Sequence, residues 1–336
     1  MTGSRSTSAD VARRAGVSRA TVSYVLNGRT DQSIPANTRD KVLAAARDLG
    51  YVPHAASRAL RRGTSNLVLL INSGVPWSTN VTDVEDELTA LVAASGRSLV
   101  VWRRPGADAL QGTLANLEPC VAISMDALTS GENRLLATVG VPLVAADLAA
   151  PGTGLPADLQ IEHLARQGHR RIGYLTTDEP SLQRFATPRT DGILAACVRR
   201  GLPEPRIAGV PGGLAVDVAA VAGQLTRWLN GRDPVTAVAC FNDLHAAACL
   251  AAASDLRIGV PTDLSVIGLD DDIFAPLTRP ALTTVRLGPQ HFARHLWSLA
   301  RHHLGEAPGP AAFTPTAHIV ERASVTSPSP FPSPKR

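Results

Sequence analysis

The chain has 336 residues, 44% of them hydrophobic but only 4% aromatic, with 33 basic and 29 acidic side chains and a net charge of +4. That length exceeds what one hydrophobic core usually supports, so two or three domains are expected. The scattered Cys120, Cys197, Cys240 and Cys249 suggest neither a disulfide framework nor a zinc knuckle, and a polar N-terminus with no run of eighteen apolar residues points to a cytoplasmic protein with no membrane partner.

The basic charge is concentrated at one end. Residues 1–63 hold eleven Lys and Arg against four Asp, a net +7, and since the whole chain is +4 the remainder carries −3. Within that segment Ser8 to Asn27, SADVARRAGVSRATVSYVLN, reads as two short helices joined by a turn at Gly16. Ser8 is placed to cap the first helix, and Val11, Ala12 and Ala15 form its apolar face. In the second, Val22, Val25 and Leu26 recur at helical spacing and face inward, leaving Arg19, Ala20, Ser23 and Tyr24 outside. This is the layout of a DNA-reading helix-turn-helix. Two amphipathic helices around a glycine also occur in proteins that never touch nucleic acid, but the coincident basic charge favours a module that neutralises phosphates.

The segment resembles the DNA-binding domain of the lactose-repressor (LacI/GalR) family of bacterial transcription regulators. Thr38 to Tyr51, TRDKVLAAARDLGY, resembles the family's third helix, with Val42, Leu43, Ala46 and Leu49 as its packing stripe and Gly50 ending it. Pro53 to Leu60, PHAASRAL, resembles the linker that forms a hinge helix on operator DNA. The resemblance implies that Ser18 and Thr21 contact phosphate, that Arg19, Ala20 and Tyr24 choose operator bases, and that Asn27 closes the DNA-facing set. It also implies that Leu60 wedges into the minor groove, with Arg58, Arg61 and Arg62 near the backbone. Tyr24 departs from the arginine often found at its position, so no operator sequence can be transferred from other members.

After residue 64, short apolar runs alternate with helical patterns, the mark of repeated βα units around parallel sheets. The expected strands are 67–71, 98–101, 120–124, 143–146, 171–175, 237–241 and 265–269. The expected helices are 82–94, 159–167, 190–200, 216–229, 244–254 and 290–304. No internal repeat is visible, and the proline-rich SPSPFPSPK from Ser327 is expected to be disordered.

GHRRIGYL from Gly168, FNDLHAAACLAA from Phe241, VIGLDDD from Val266 and LTTVRL from Leu282 extend the resemblance over nearly the full length. They imply a body like the periplasmic sugar-binding proteins: two α/β subdomains with parallel sheets, crossed by three chain segments, with an effector cleft between. Arg189 stands where the family commonly holds ligand hydroxyl or carboxylate groups. Asn242 and Asp270 follow strands directly and would reach the crevice beyond the strands' carboxyl ends, where open α/β sheets bind ligands; as Asx residues they also suit helix caps or turns. NSGVPWSTNVTD from Asn72 departs from the family's usual Asn-Pro-Phe-Phe-like stretch. There Trp77 is a candidate stacking platform or a core tryptophan, and Ser73 a further cleft candidate. The family's acidic-amide pair is replaced by Ala157-Asp158.

His291, His295, His302 and His303 share one helix but lack partners at ligand spacing, so no metal is assigned. No catalytic motif occurs in a suitable context, so neither an enzyme nor a cofactor is expected. The expected organisation is a helix-turn-helix headpiece at 1–52, a hinge at 53–64, an effector-binding and dimerisation body at 65–326, and a tail at 327–336. The expected function is a homodimeric, nucleoid-associated regulator, a repressor that binds palindromic double-stranded operator DNA with affinity set by a small effector such as a sugar. The alternative is a small-molecule-binding protein of transport type, for which a secretory signal would be expected.

Overall fold

The computed structural model describes residues 6–26, 34–51, 65–72, 78–103, 107–125, 128–146, 154–213 and 215–328. Two compact units result, Met1–Asn66 and Leu67–Arg336.

The first unit contains α1 (Ser8–Ala15), α2 (Arg19–Leu26) and α3 (Ala36–Asp48). Its first helix is capped by Thr7 rather than Ser8. The Thr7 hydroxyl accepts the Asp10 N–H at 3.3 Å while the Asp10 carboxylate accepts the Thr7 N–H at 2.9 Å, a reciprocal box that satisfies two otherwise unpaired donors. Gly16 closes α1 at φ 65°, a left-handed conformation that a side chain would strain. Val11, Ala12, Val22, Val25, Val42, Ala45 and Ala46 form the core, with Leu49 and Tyr51 packed at its edge. The stripe on α3 is therefore Val42, Ala45, Ala46. Leu43, expected inside, is 37% exposed, because it lies one residue, about 100° of helical turn, past Val42. Ala45 takes the inward position at the i+3 spacing.

The second unit holds two lobes, each a four-stranded parallel sheet with helices on both faces. In the first lobe the strands are β1 (Leu67–Asn72), β2 (Ser98–Arg103), β3 (Val121–Ser124) and β4 (Leu143–Ala145), in the order β2-β1-β3-β4, and the helices α4 (Thr79–Ala94), α5 (Ala107–Leu117) and α6 (Ser130–Thr138). The two-residue period of a strand divides β1 cleanly. Val68 and Leu70 face α4, whereas Leu69 and Ile71 face α5 and α6.

The second lobe begins with α7 (Leu155–Arg166), β5 (Ile172–Thr177), α8 (Gln183–Arg199) and β6 (Arg206–Val210). It continues through α9 (Val218–Leu229), β7 (Ala237–Cys240), α10 (Asp243–Asp255) and β8 (Ser265–Ile267), with sheet order β6-β5-β7-β8. Gly173 on β5 is required by packing, since an added Cβ would stand 2.6 Å from Trp228 of α9. After β9 (Thr284–Leu287) the chain returns to the first lobe as α11 (Pro289–His303), whose Ala293, Leu296, Trp297 and Ala300 join Val68, Leu70 and Leu88 in one core. β10 (Ala317–Val320) then pairs antiparallel with β9, bringing the end of the chain back to the second lobe.

Two helices, α5 and α6, and three strands, β6, β9 and β10, form where no element was expected. The sequence does carry a signal for α6: Thr129 and Glu132 make the same reciprocal capping box as Thr7 and Asp10. Ser327 and Pro328, at the start of the expected disordered tail, are described. Pro328 lies against Gly168, and residues 329–336 fall outside the described set. Among the described residues no helix is long and apolar enough to cross a membrane.

Candidate functional site

Two regions carry the candidate residues, one in each unit. In the first, Ser18 stands at the N-terminus of α2, where its hydroxyl accepts the Thr21 N–H at 3.0 Å and lies 2.9 Å from the Thr21 hydroxyl. Val22 and Val25 hold the opposite face in the core, so Ser18, Arg19 and Ala20 stand exposed at the start of the helix. Thr21, Ser23 and Tyr24 are half-buried, less outward than the helical pattern suggests. The exposed edge combines a cationic fork, a methyl group and a helix N-terminus, a set able to meet base edges and a phosphate. Asn27, Arg58 and Leu60 lie outside the described residues.

In the second unit Arg189, Asn242 and Asp270 converge at the carboxyl ends of β7 and β8. Arg189 reaches from α8 to donate to the Phe241 carbonyl at 2.8 Å, with its guanidinium 4.5 Å above the Phe241 ring. Its other terminal nitrogen is 3.8 Å from Asp270 Oδ1. Asp270 is buried, holds a left-handed backbone at φ 112°, and accepts the Asn80 side-chain amide at 3.1 Å. Burial pushes its carboxyl up to about 6, against the pull of Arg189. Asn242 caps α10, its Oδ1 accepting the His245 N–H at 3.0 Å. The cap is therefore realised, and the amide nitrogen is what Asn242 has left to offer a ligand.

Around these three stand groups that were not among the candidate effector residues. Asp243, fully buried, accepts the Thr284 hydroxyl at 2.6 Å and the Asp272 N–H at 2.7 Å. Burial drives its carboxyl up to about 8; the Thr284 bond opposes the rise and neighbouring Asp270 adds to it. Asp272 accepts the first free amide of α4, Thr79 N–H, at 2.7 Å, where a helix N-terminus favours a carboxylate. Asp271 bonds Arg322 at 2.6 Å and Arg286 at 3.1 Å, and Arg286 also reaches Asp83 of α4 at 3.1 Å. The three consecutive aspartates thus divide their work: Asp270 faces Arg189, while Asp271 and Asp272 tie the loop to β9 and α4.

Ser73 and Trp77 lie outside the described residues. Asp158 points away from this region, paired with Arg199 at 2.6 Å and Arg200 at 2.7 Å. His291 and His295 pack against Phe313, at ring separations of 5.5 and 5.0 Å.

Residues 7–54 match the pattern described as "Bacterial regulatory proteins, lacI family", and residues 161–325 match a "Periplasmic binding protein-like domain". The HTH-type transcriptional regulator GalR of Escherichia coli strain K12 is 30% identical over 352 aligned positions, covering 95% of this chain and 96% of that protein. Among solved structures, the lac repressor dimer bound to operator and the anti-inducer ONPF superposes with a TM-score of 0.75 at 23% identity, over 96% of this chain and all of that one. A complex of the transcriptional regulator CelR with cellobiose gives 0.65 at 23% identity, over 95% of this chain and all of that one.

Proposed function

The chain belongs to the LacI family of bacterial regulatory proteins and is a transcription regulator with a helix-turn-helix domain and an effector-binding domain, and from that premise we propose that it is a dimeric repressor acting at the nucleoid. Two copies related by a two-fold axis read the two halves of a palindromic operator, since one helix-turn-helix covers only a half-site. The observation that carries the reading is the start of α2, where Ser18, Arg19 and Ala20 are exposed while Val22 and Val25 anchor the helix in the core. Arg19 suits bidentate contact with a guanine, Ala20 a thymine methyl, and Ser18 and Thr21 a phosphate. Tyr24 and Asn27 are assigned to the same DNA-facing set, and Arg58 and Leu60 to the hinge, with Leu60 entering the minor groove.

The effector occupies the cleft between the two lobes, held by Arg189, Asn242 and Asp270, with Ser73 and Trp77 assigned to the same ligand. Its class is a sugar, as in the CelR complex with cellobiose. An effector that favours one lobe arrangement changes operator affinity by the difference in its own affinity for the two arrangements. Selection of random duplexes on the purified protein, followed by affinity of the best site at several salt concentrations, tests the proposal. A recovered palindrome with a steep but sequence-dependent affinity supports it; binding that is steeply salt-dependent but blind to sequence overturns it.

A further inference from the structure

Among the described residues no buried apolar cluster spans the two lobes: Val68, Leu69, Leu70 and Ile71 pack within the first, and Leu175, Val238 and Val266 within the second. What crosses between α4 and the loop that follows β8 is polar. Thr79 is the first residue of α4, so its N–H has no partner inside its own helix; Asp272 of the second lobe accepts it at 2.7 Å. The Thr79 hydroxyl in turn accepts the Ile273 N–H at 3.1 Å, and the next side chain, Asn80, donates to Asp270 at 3.1 Å. One turn along α4, Asp83 holds Arg286 at 3.1 Å, and the same guanidinium reaches Asp271 at 3.1 Å. Every residue from Asp270 to Ile273 is thus tied to α4, Asp271 through Arg286.

Asn80, Asp270 and Asp272 are buried at this junction. Parting the lobes would hand each of these bonds to water at small net cost, and it would open no apolar core. A contact of that kind opens and closes as a unit. Because Val81, Val84 and Leu88 of α4 also pack with Leu296 and Trp297 of α11, a shift of α4 carries the core of the first lobe with it.

We propose that the first turns of α4 and the loop Asp270–Ile273 form a reversible clasp that selects between two lobe arrangements, and that its closure sets operator affinity. The clasp is made by the chain's own groups and needs no effector, so this goes beyond the cleft reading and rests on the operator reading given above.

The test uses the full-length protein, with no added ligand, and the operator recovered by duplex selection. Asn80→Asp, studied at about pH 8, sets a second carboxylate against Asp270, whose own carboxyl is ionised there. Asn80→Asp combined with Asp270→Asn reverses the pair, so that an amide on the loop meets a carboxylate on α4. Hydrogen exchange at the Thr79 and Ile273 amides reads the clasp directly, because both donate across the junction. In wild type both should be protected, and operator binding should change their exchange, a readout independent of how the variants fold. In Asn80→Asp both should exchange about tenfold faster and operator affinity should shift by about fivefold or more, with most of each change recovered in the double variant. Unprotected Thr79 and Ile273 amides in wild type overturn the clasp whatever the DNA data show. Exchange in wild type that ignores operator, or an affinity shift that the double variant fails to recover, overturns its role in DNA binding. Recovery of no specific operator from wild type overturns the operator reading and that role with it.

Discussion

The Asn80 side chain, in the first turn of α4 in the first lobe, donates to Asp270 Oδ1 in the second lobe at 3.1 Å, across 190 residues of sequence. Two neighbouring bonds reinforce it, Thr79 N–H to Asp272 and Ile273 N–H to the Thr79 hydroxyl at 3.1 Å. The lobes are thus joined directly through the loop that carries the candidate effector carboxylate. Asn80→Ala should lower thermal stability by about 1–2 kcal/mol, the usual cost of losing a buried bond and leaving its partner unmatched. A melting curve unchanged from wild type would show that water replaces the amide without loss.

The pH dependence of stability should carry the signature of Asp243. Its folded value of about 8 stands above the ordinary 3.8, so between pH 4 and 8 the unfolded chain has released a proton that the folded chain retains. Stability contributed by this group is complete below about pH 4 and declines as pH rises to about 8. Asp243→Asn keeps an acceptor for the Asp272 N–H and offers its amide to Thr284. It should match wild type at pH 4 and exceed it by about 5 kcal/mol at pH 8. Parallel stability profiles for the two proteins across that range would refute the assignment.

Gly173→Ala should destabilise by about 1–3 kcal/mol, since the new methyl meets the Trp228 ring inside normal contact distance and both β5 and α9 are fixed by packing. Combining it with Trp228→Leu should recover part of the loss. Additive losses in the double variant would place the strain elsewhere.

On DNA, Arg19→Ala and Ser18→Ala should separate reading from positioning. Loss of Arg19 should cost about 1–3 kcal/mol on the selected operator and relax base preference at one position of each half-site. Loss of the Ser18 hydroxyl removes a helix cap worth about 1 kcal/mol and should lower both headpiece stability and affinity without changing the preferred sequence. Quantitative binding to single-base operator variants distinguishes the two. A uniform loss for Arg19→Ala would make it a phosphate contact instead.

The apolar run of β1 and the Val22/Val25 spacing of α2 were readable in the sequence, because a strand covered on both faces is continuously apolar and a half-buried helix leaves a period near 3.6. Asn242 and Asp270 could be placed at one crevice because each directly follows a strand of a parallel sheet, and Arg189 through the family resemblance. What escaped had a different origin. Ser8 and Thr7 are both good caps, and the choice between them is made by Asp10, which stands three residues after Thr7. The exposure of Leu43 depends on which way α3 is rotated against α1, a tertiary fact that hydrophobicity alone does not encode. Asn80 and His245 gave no signal at all. The role of Asn80 is created by a partner 190 residues away, and the buried contact of His245 with Asn242 Oδ1 by the cap that brings the two together.

The end of the chain holds the second lobe from inside. His169, buried just before β5, bonds Thr236 at 2.9 Å and the Thr326 carbonyl at 2.8 Å, and Ser324 donates to Val266 O at 2.6 Å while accepting Thr283 N–H at 2.8 Å. During synthesis, strands β5 to β8 emerge well before residues 324–326, so His169 and the edge of β8 find these partners only once that later segment has emerged. The first lobe waits as well, since α11 completes its core from position 289 onward. A chain that stops before residue 324 would lack these closures in the second lobe, so the effector domain is finished only once that segment has been made.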